Sequence, residues 1–109
     1  MYWIEESFNA SSTSLAQAVV AHAYEVTIED LKSAKRGAAR AAWARQVAMY
    51  LSHTVFGVSV PEVAAAFMRH RATAHHALRH VEERRSNPEI DRTLSVLERL
   101  LTHRTGGAA

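Results

Sequence analysis

The chain has 109 residues, 48% of them apolar and 22% charged, and no cysteine. That length suits one domain with one core, and the missing thiols exclude disulfides, thiolate-bound zinc and thiol catalysis. No apolar run approaches the ~18–20 residues of a membrane span. The start of the chain, with Glu5 and Glu6 and no early Lys or Arg, does not read as a signal peptide. The expected setting is a bacterial-type cytosol, at the nucleoid and away from membranes.

A formal net charge of +2 hides an uneven layout. Residues 1–31 carry Glu5, Glu6, Glu25, Glu29 and Asp30 with no Lys or Arg, whereas residues 32–45 carry Lys32, Lys35, Arg36, Arg40 and Arg45 with no acid. Such a boundary suits an oriented anionic partner such as a nucleic-acid backbone; a solvated basic loop accounts for it as well.

Along the chain, residues 1–13 mix Tyr2, Trp3 and Phe8 with a Ser/Thr-rich end and show no period. They read as an N-terminal arm anchored by Trp3 or Phe8. Ser14 can cap a helix to about Tyr24, with Leu15, Val19 and His22 or Ala23 on its apolar side. Thr27, with Glu29 and Asp30 in the first turn, opens a second short helix. Lys32 to Gly37, broken by Gly37, reads as a basic loop or a frayed helix end. From Ala38 to Thr54 the pattern is strongly helical, with Ala44, Val47, Ala48, Leu51 and Val55 on one stripe, Trp43 and Tyr50 on its flank, and Gly57 as its stop.

Ser59, Pro61 and Glu62 signal the start of a helix that turns Val63, Ala66 and Phe67 inward. Met68 to His70 is a turn. The next helix, Arg71 to Arg85, points Ala74, Ala77, Leu78 and Val81 at the core and leaves Arg71, Thr73, His75, His76, Arg79 and His80 at the surface. Asn87 and Pro88 open a last helix with Ile90, Leu94, Leu97 and Leu101 as its stripe. The expected architecture is all-α, with five or six helices: a helix-turn-helix domain over residues 14–105 and a disordered tail over 106–109.

The chemistry narrows the function. His76 and His80 stand at a spacing that lets two imidazoles share a metal, but Ala77 occupies the position where a metalloprotease carries its glutamate, and no carboxylate completes a set. Glu82 and Glu83 are adjacent and point in different directions on a helix, as do Glu29 and Asp30. No glycine-rich phosphate loop or nucleophile elbow is present. Neither an enzyme nor a cofactor is expected. A buried helix, a short helix, a tight turn and a longer helix with a basic start are instead the layout of a duplex-DNA reader. Arg69, Arg71 and Thr73 fall at the end of the recognition helix that reaches base edges, and the loop from Lys32 to Arg40 suits phosphates or a minor groove.

Several spaced blocks carry a family resemblance: Val26-Thr27-Ile28-Glu29-Asp30-Leu31, then Ala44-Arg45-Gln46-Val47-Ala48-Met49-Tyr50-Leu51, then Ser59-Val60-Pro61-Glu62-Val63 with Phe67, then His76-Ala77-Leu78-Arg79-His80-Val81-Glu82. In this order they resemble the C-terminal DNA-binding domain of the bacterial replication initiator DnaA, over roughly Leu15 to His103. The resemblance implies a helix-turn-helix fold that binds double-stranded DnaA-box sequences. It implies base contacts from Arg69, His70, Arg71 and Thr73, and backbone or minor-groove contacts from Lys32, Lys35, Arg36, Arg40, Arg45, His76 and Arg79. The ATPase portion of the initiator is missing from these residues, so nucleotide binding and origin melting do not carry over, and a stand-alone domain is expected.

The family's reading motif, Gly-Gly-Arg-Asp-His-Thr-Thr, stands here as Met68-Arg69-His70-Arg71-Ala72-Thr73. One glycine is gone, Arg69 and Thr73 match, and His70, Arg71 and Ala72 replace Asp, His and Thr. Without that Asp, an acceptor for a cytosine amino group is lost. Two functions follow: a DNA-binding regulator of replication initiation or transcription at DnaA-box-like sites, or a protein-interaction module that contacts the initiator or its inactivating partners.

Overall fold

The computed structural model describes residues 2–33 and 39–106, with side chains over 8–33 and 39–103. Six helices follow one another: α1 (Tyr2–Tyr24), α2 (Ile28–Lys32), α3 (Ala39–Thr54), α4 (Val60–Ala66), α5 (Arg71–Arg84) and α6 (Pro88–Gly106). Among the described residues there is no strand, and no helix is long and apolar enough to cross a membrane.

The first expectation to be corrected is the N-terminal arm. Ser14 lies in the middle of α1 and caps nothing, because the helix already begins at Tyr2. Phe8 rests edge-on against Phe56, with ring centroids 6.5 Å apart; the side chain of Trp3 lies outside the described residues. The inward face of α1 also differs from the expected stripe. Ser12, Thr13, Ala16, Gln17, Val20 and Ala21 are buried, whereas Leu15 and Val19 are half-buried and His22 and Ala23 exposed. The physical reason is close approach: α1 meets α3, which presents Ala41, Ala44 and Ala48 at the buried surface, and small residues on both helices bring the backbones together. Apolar periodicity therefore pointed to the larger side chains on the flank.

From Val47 to Ser52 every residue of α3 is buried, Tyr50 included. This helix packs against α1, α2, α4 and α5 and is the centre of the core. Ser52 Oγ returns its hydrogen to the Ala48 carbonyl at 2.8 Å, which satisfies a hydroxyl that has no access to water.

The other expected caps form. Thr27 and Asp30 exchange side-chain and backbone bonds as a capping box. Ser59 accepts from the Glu62 N–H, and Asn87 accepts from the Glu89 N–H at 2.9 Å. Gly57 ends α3 with φ of 70°. Gly106 is the last residue of α6 rather than the start of a tail; residues 107–109 lie outside the described residues.

The turn between α4 and α5 is closed by two backbone bonds, Met68 N–H to the Ala65 carbonyl and Arg69 N–H to the Ala64 carbonyl at 2.8 Å. This is the Schellman pattern, which places its hinge residue in the left-handed region. Met68 occupies that hinge with φ of 53°, where the resembled family has glycine. A left-handed conformation costs a side-chain-bearing residue about 1–2 kcal/mol, and Met68 is largely solvent-exposed, so little burial offsets it. Met68→Gly is expected to stabilise the domain by roughly 0.5–1 kcal/mol after the extra entropy of an unfolded glycine is subtracted. A higher thermal midpoint with an unchanged urea m-value is the result that supports this.

Candidate nucleic-acid interface

α5 stands on its core by Ala74, Ala77 and Val81, which are fully buried, with Leu78 partly so. That stripe forces Arg71, Thr73, His75, His76 and Arg79 outward, and all five are exposed. His70 is the N-cap, but its side chain makes no capping bond, and the first turn holds no acid. The start of α5 therefore presents uncapped N–H groups, the positive end of the helix dipole and Arg71 together, a combination that attracts anions.

The four expected base-contacting residues divide. His70, Arg71 and Thr73 are exposed at the start of α5. Arg69 is half-buried, and its Nη2 donates to the Ser33 carbonyl at 2.6 Å, toward α2 and away from the exposed face of α5.

The expected backbone-contacting residues divide as well. Lys32, Arg40, His76 and Arg79 are exposed; Lys35 and Arg36 lie outside the described residues. Arg45 is half-buried, with Nε donating to the Leu31 carbonyl at 2.7 Å and Nη2 to the Asp30 carbonyl at 2.9 Å. Burial first, and then the neighbouring Arg69, pull the Arg45 guanidinium below its ordinary pKa, while Asp30 works the other way.

His76 and His80 stack nearly parallel, 5.9 Å apart. Among the described residues no three His, Asp or Glu side chains converge in a way that could hold a metal ion. His80 also meets the edge of Trp43, and Arg84 lies over the Trp43 ring at 5.5 Å. The Trp43 indole donates to the Tyr24 hydroxyl at 3.3 Å, so α1, α3 and α5 meet at one aromatic point.

Tyrosine chemistry at the core gives a pH prediction. Burial raises the Tyr24 pKa against the lowering effect of Trp43. Burial also raises that of Tyr50, assisted by the bond it donates to Glu82 at 2.6 Å and opposed by Arg85. Both groups hold their protons more tightly folded than unfolded. Their contribution is complete below the ordinary tyrosine pKa near 10 and is lost as pH rises through the higher folded values. Urea unfolding between pH 8 and 11 should show stability falling on the alkaline side, and Tyr24→Phe with Tyr50→Phe should flatten that fall.

Comparison with known proteins agrees with this layout. The family model described as bacterial DnaA protein helix-turn-helix matches residues 1–81. The chain is 40% identical over 87 residues to the chromosomal replication initiator protein DnaA of Leptothrix cholodnii, covering 78% of this chain and 17% of that protein. It is 46% identical over 65 residues to the DnaA of Aquifex aeolicus, covering 59% of this chain and 16% of that protein. The chain thus spans less than a fifth of these relatives. Among solved structures, a crystal structure of a DNA replication initiation factor superposes with a TM-score of 0.85 at 32% identity, covering 94% of this chain and 32% of that one. A replication initiator DnaA bound to AMPPCP and single-stranded DNA superposes with a TM-score of 0.77 at 32% identity, covering 88% of this chain and 29% of that one.

Proposed function

Because the chain belongs to the bacterial DnaA helix-turn-helix family, we propose that it binds double-stranded DNA at DnaA-box-like sites and acts in the control of replication initiation or transcription. The observation that carries this is the one-sided face of α5, where Arg71, Thr73, His75, His76 and Arg79 are exposed on a helix whose opposite stripe is fully buried. A major groove admits one such helix by its N-terminal end.

In this arrangement His70, Arg71 and Thr73 face base edges. Arg71 supplies the fork that bridges guanine N7 and O6, and it replaces the histidine of the family motif, so the preferred base at that step differs from the usual box. Lys32, Lys35, Arg36 and Arg40 would contact phosphates or an adjacent minor groove, with His76 and Arg79 of α5 on the backbone. The module works at the nucleoid without nucleotide.

Fluorescence-anisotropy titration with a DnaA-box duplex and a scrambled duplex, at two salt concentrations, tests the reading. Tighter binding to the box, weakening steeply with salt, is expected. Equal affinity for both duplexes would remove the sequence-specific part.

The second reading, a module that contacts the initiator or its regulators, is favoured by a different observation. An open apolar groove between α1 and α6 is lined by Leu15, Val19, Leu97 and Leu100, of which Leu100 is exposed. A complex with the initiator that survives Arg71→Ala but is lost with Leu100→Glu is the result this reading requires.

A further inference from the structure

We propose that Arg69 is a positioning residue that ties the C-terminal end of α2, where the basic stretch from Lys32 begins, to the start of the recognition helix α5. This rests on the DNA-binding reading given above and deepens it.

The backbone of Arg69 is fixed by the bond from its N–H to the Ala64 carbonyl, immediately after the left-handed Met68. Its side chain then runs to α2 and donates to the Ser33 carbonyl, 36 positions earlier in sequence. From the other side, Arg45 of α3 donates to the Leu31 and Asp30 carbonyls. Three carbonyls at the negative end of one short helix are held by two guanidiniums from two different elements. Placing two like charges side by side is unfavourable unless the carbonyls between them supply the compensation. Their convergence here therefore locates α2 against both α3 and the turn.

A base-reading arginine needs two N–H groups free to point into the groove. Arg69 is half-buried with its fork turned to Ser33, whereas Arg71, two residues on, is exposed. The two arginines divide the work: Arg71 meets the bases, and Arg69 keeps the Lys32 end of α2 in register with it. Without that register Lys32 and the residues of α5 cannot engage one duplex together.

The test compares full-length wild type, Arg69→Ala, Arg69→Lys and Arg71→Ala. Without DNA, hydrogen exchange at Leu31, Lys32 and Ser33 should accelerate about tenfold or more in Arg69→Ala, with the amides of α5 and α6 unchanged and Arg69→Lys partly restored. With a box duplex, Arg69→Ala should lose about 10- to 100-fold in affinity at every base-pair substitution alike. Its salt slope should become shallower by more than the ~0.9 that one lost phosphate contact explains, and Arg69→Lys should recover the slope. Arg71→Ala should relax discrimination at one position instead. Relaxed discrimination at a single base pair in Arg69→Ala, or exchange at α2 identical to wild type, overturns the proposal. If wild type binds no duplex, the DNA-binding reading fails, and exchange at α2 still decides whether Arg69 positions that helix.

Discussion

Arg85→Met is expected to destabilise the domain by about 2–3 kcal/mol, more than any exposed arginine of the chain. The guanidinium of Arg85 donates from Nε to Asp91 Oδ1 at 2.6 Å and from Nη1 to Glu98 Oε2 at 2.8 Å. It further donates to Ser95 Oγ and to the Tyr50 hydroxyl. Tyr50 in turn donates to Glu82. One side chain at the end of α5 thus joins α3, α5 and α6, and these contacts, Glu98 foremost, hold its pKa well above the ordinary arginine value.

Breaking a buried ion pair costs ~3–5 kcal/mol, because the remaining partners stay desolvated. Here Arg85 is 16% exposed but Asp91 is 50% and Glu98 30% exposed, so water recovers part of the loss. Methionine keeps much of the packing volume and isolates the polar part. The measurement is the urea midpoint together with the thermal midpoint, which should fall by roughly 10 °C or more in a domain of this size. Arg92→Met, at an exposed position of α6, should change stability by about 0.5 kcal/mol or less. Equal effects of the two substitutions would show that the Arg85 network contributes nothing beyond surface charge.

Arg85 also shows where the sequence stopped being legible. Its partners lie at separations of 35, 6, 10 and 13 residues, and no local pattern marks such a set. Three caps were legible because their chemistry is local: Thr27 and Asp30, Ser59, and Asn87 with Pro88 act within three residues, and each appears as read, whereas the cap read at Ser14 falls inside α1. The α5 stripe was legible because Ala74, Ala77, Leu78 and Val81 follow the helical period with His and Arg between them. The α1 face was not, since its buried side is built from Ser12, Thr13, Ala16 and Gln17, whose burial depends on the small residues of α3 opposite. At the candidate interface, exposure of His70, Arg71 and Thr73 followed from the period. The orientations of Arg69 and Arg45 depended on tertiary partners, the carbonyls of α2, which sequence spacing does not encode. Arg69 is assigned to bases because it matches the family's reading motif; its side-chain hydrogen bond to the Ser33 carbonyl, 36 positions earlier, has no local signature.

Arg71→Ala is the functional counterpart. It should leave stability within about 0.5 kcal/mol of wild type, because the side chain is exposed and makes no bond or ion pair with another described residue. In DNA binding it should cost about 1–3 kcal/mol of discrimination at one base pair, the scale of a bidentate arginine–guanine contact, while reducing the salt slope by no more than ~1. The family motif makes the experiment directional. With aspartate replaced by His70 and histidine by Arg71, the acceptor for a cytosine amino group is absent and a bidentate donor stands next to where it would be. Preference should therefore move toward guanine at the step beneath Arg71. A box duplex carrying each of the four base pairs at successive positions, titrated against wild type and Arg71→Ala, measures this directly. A guanine preference that disappears with Arg71 assigns the residue to base reading. A preference that persists in Arg71→Ala returns the discrimination to Thr73 and His70, and leaves Arg71 as a phosphate contact whose loss lowers affinity for every duplex alike.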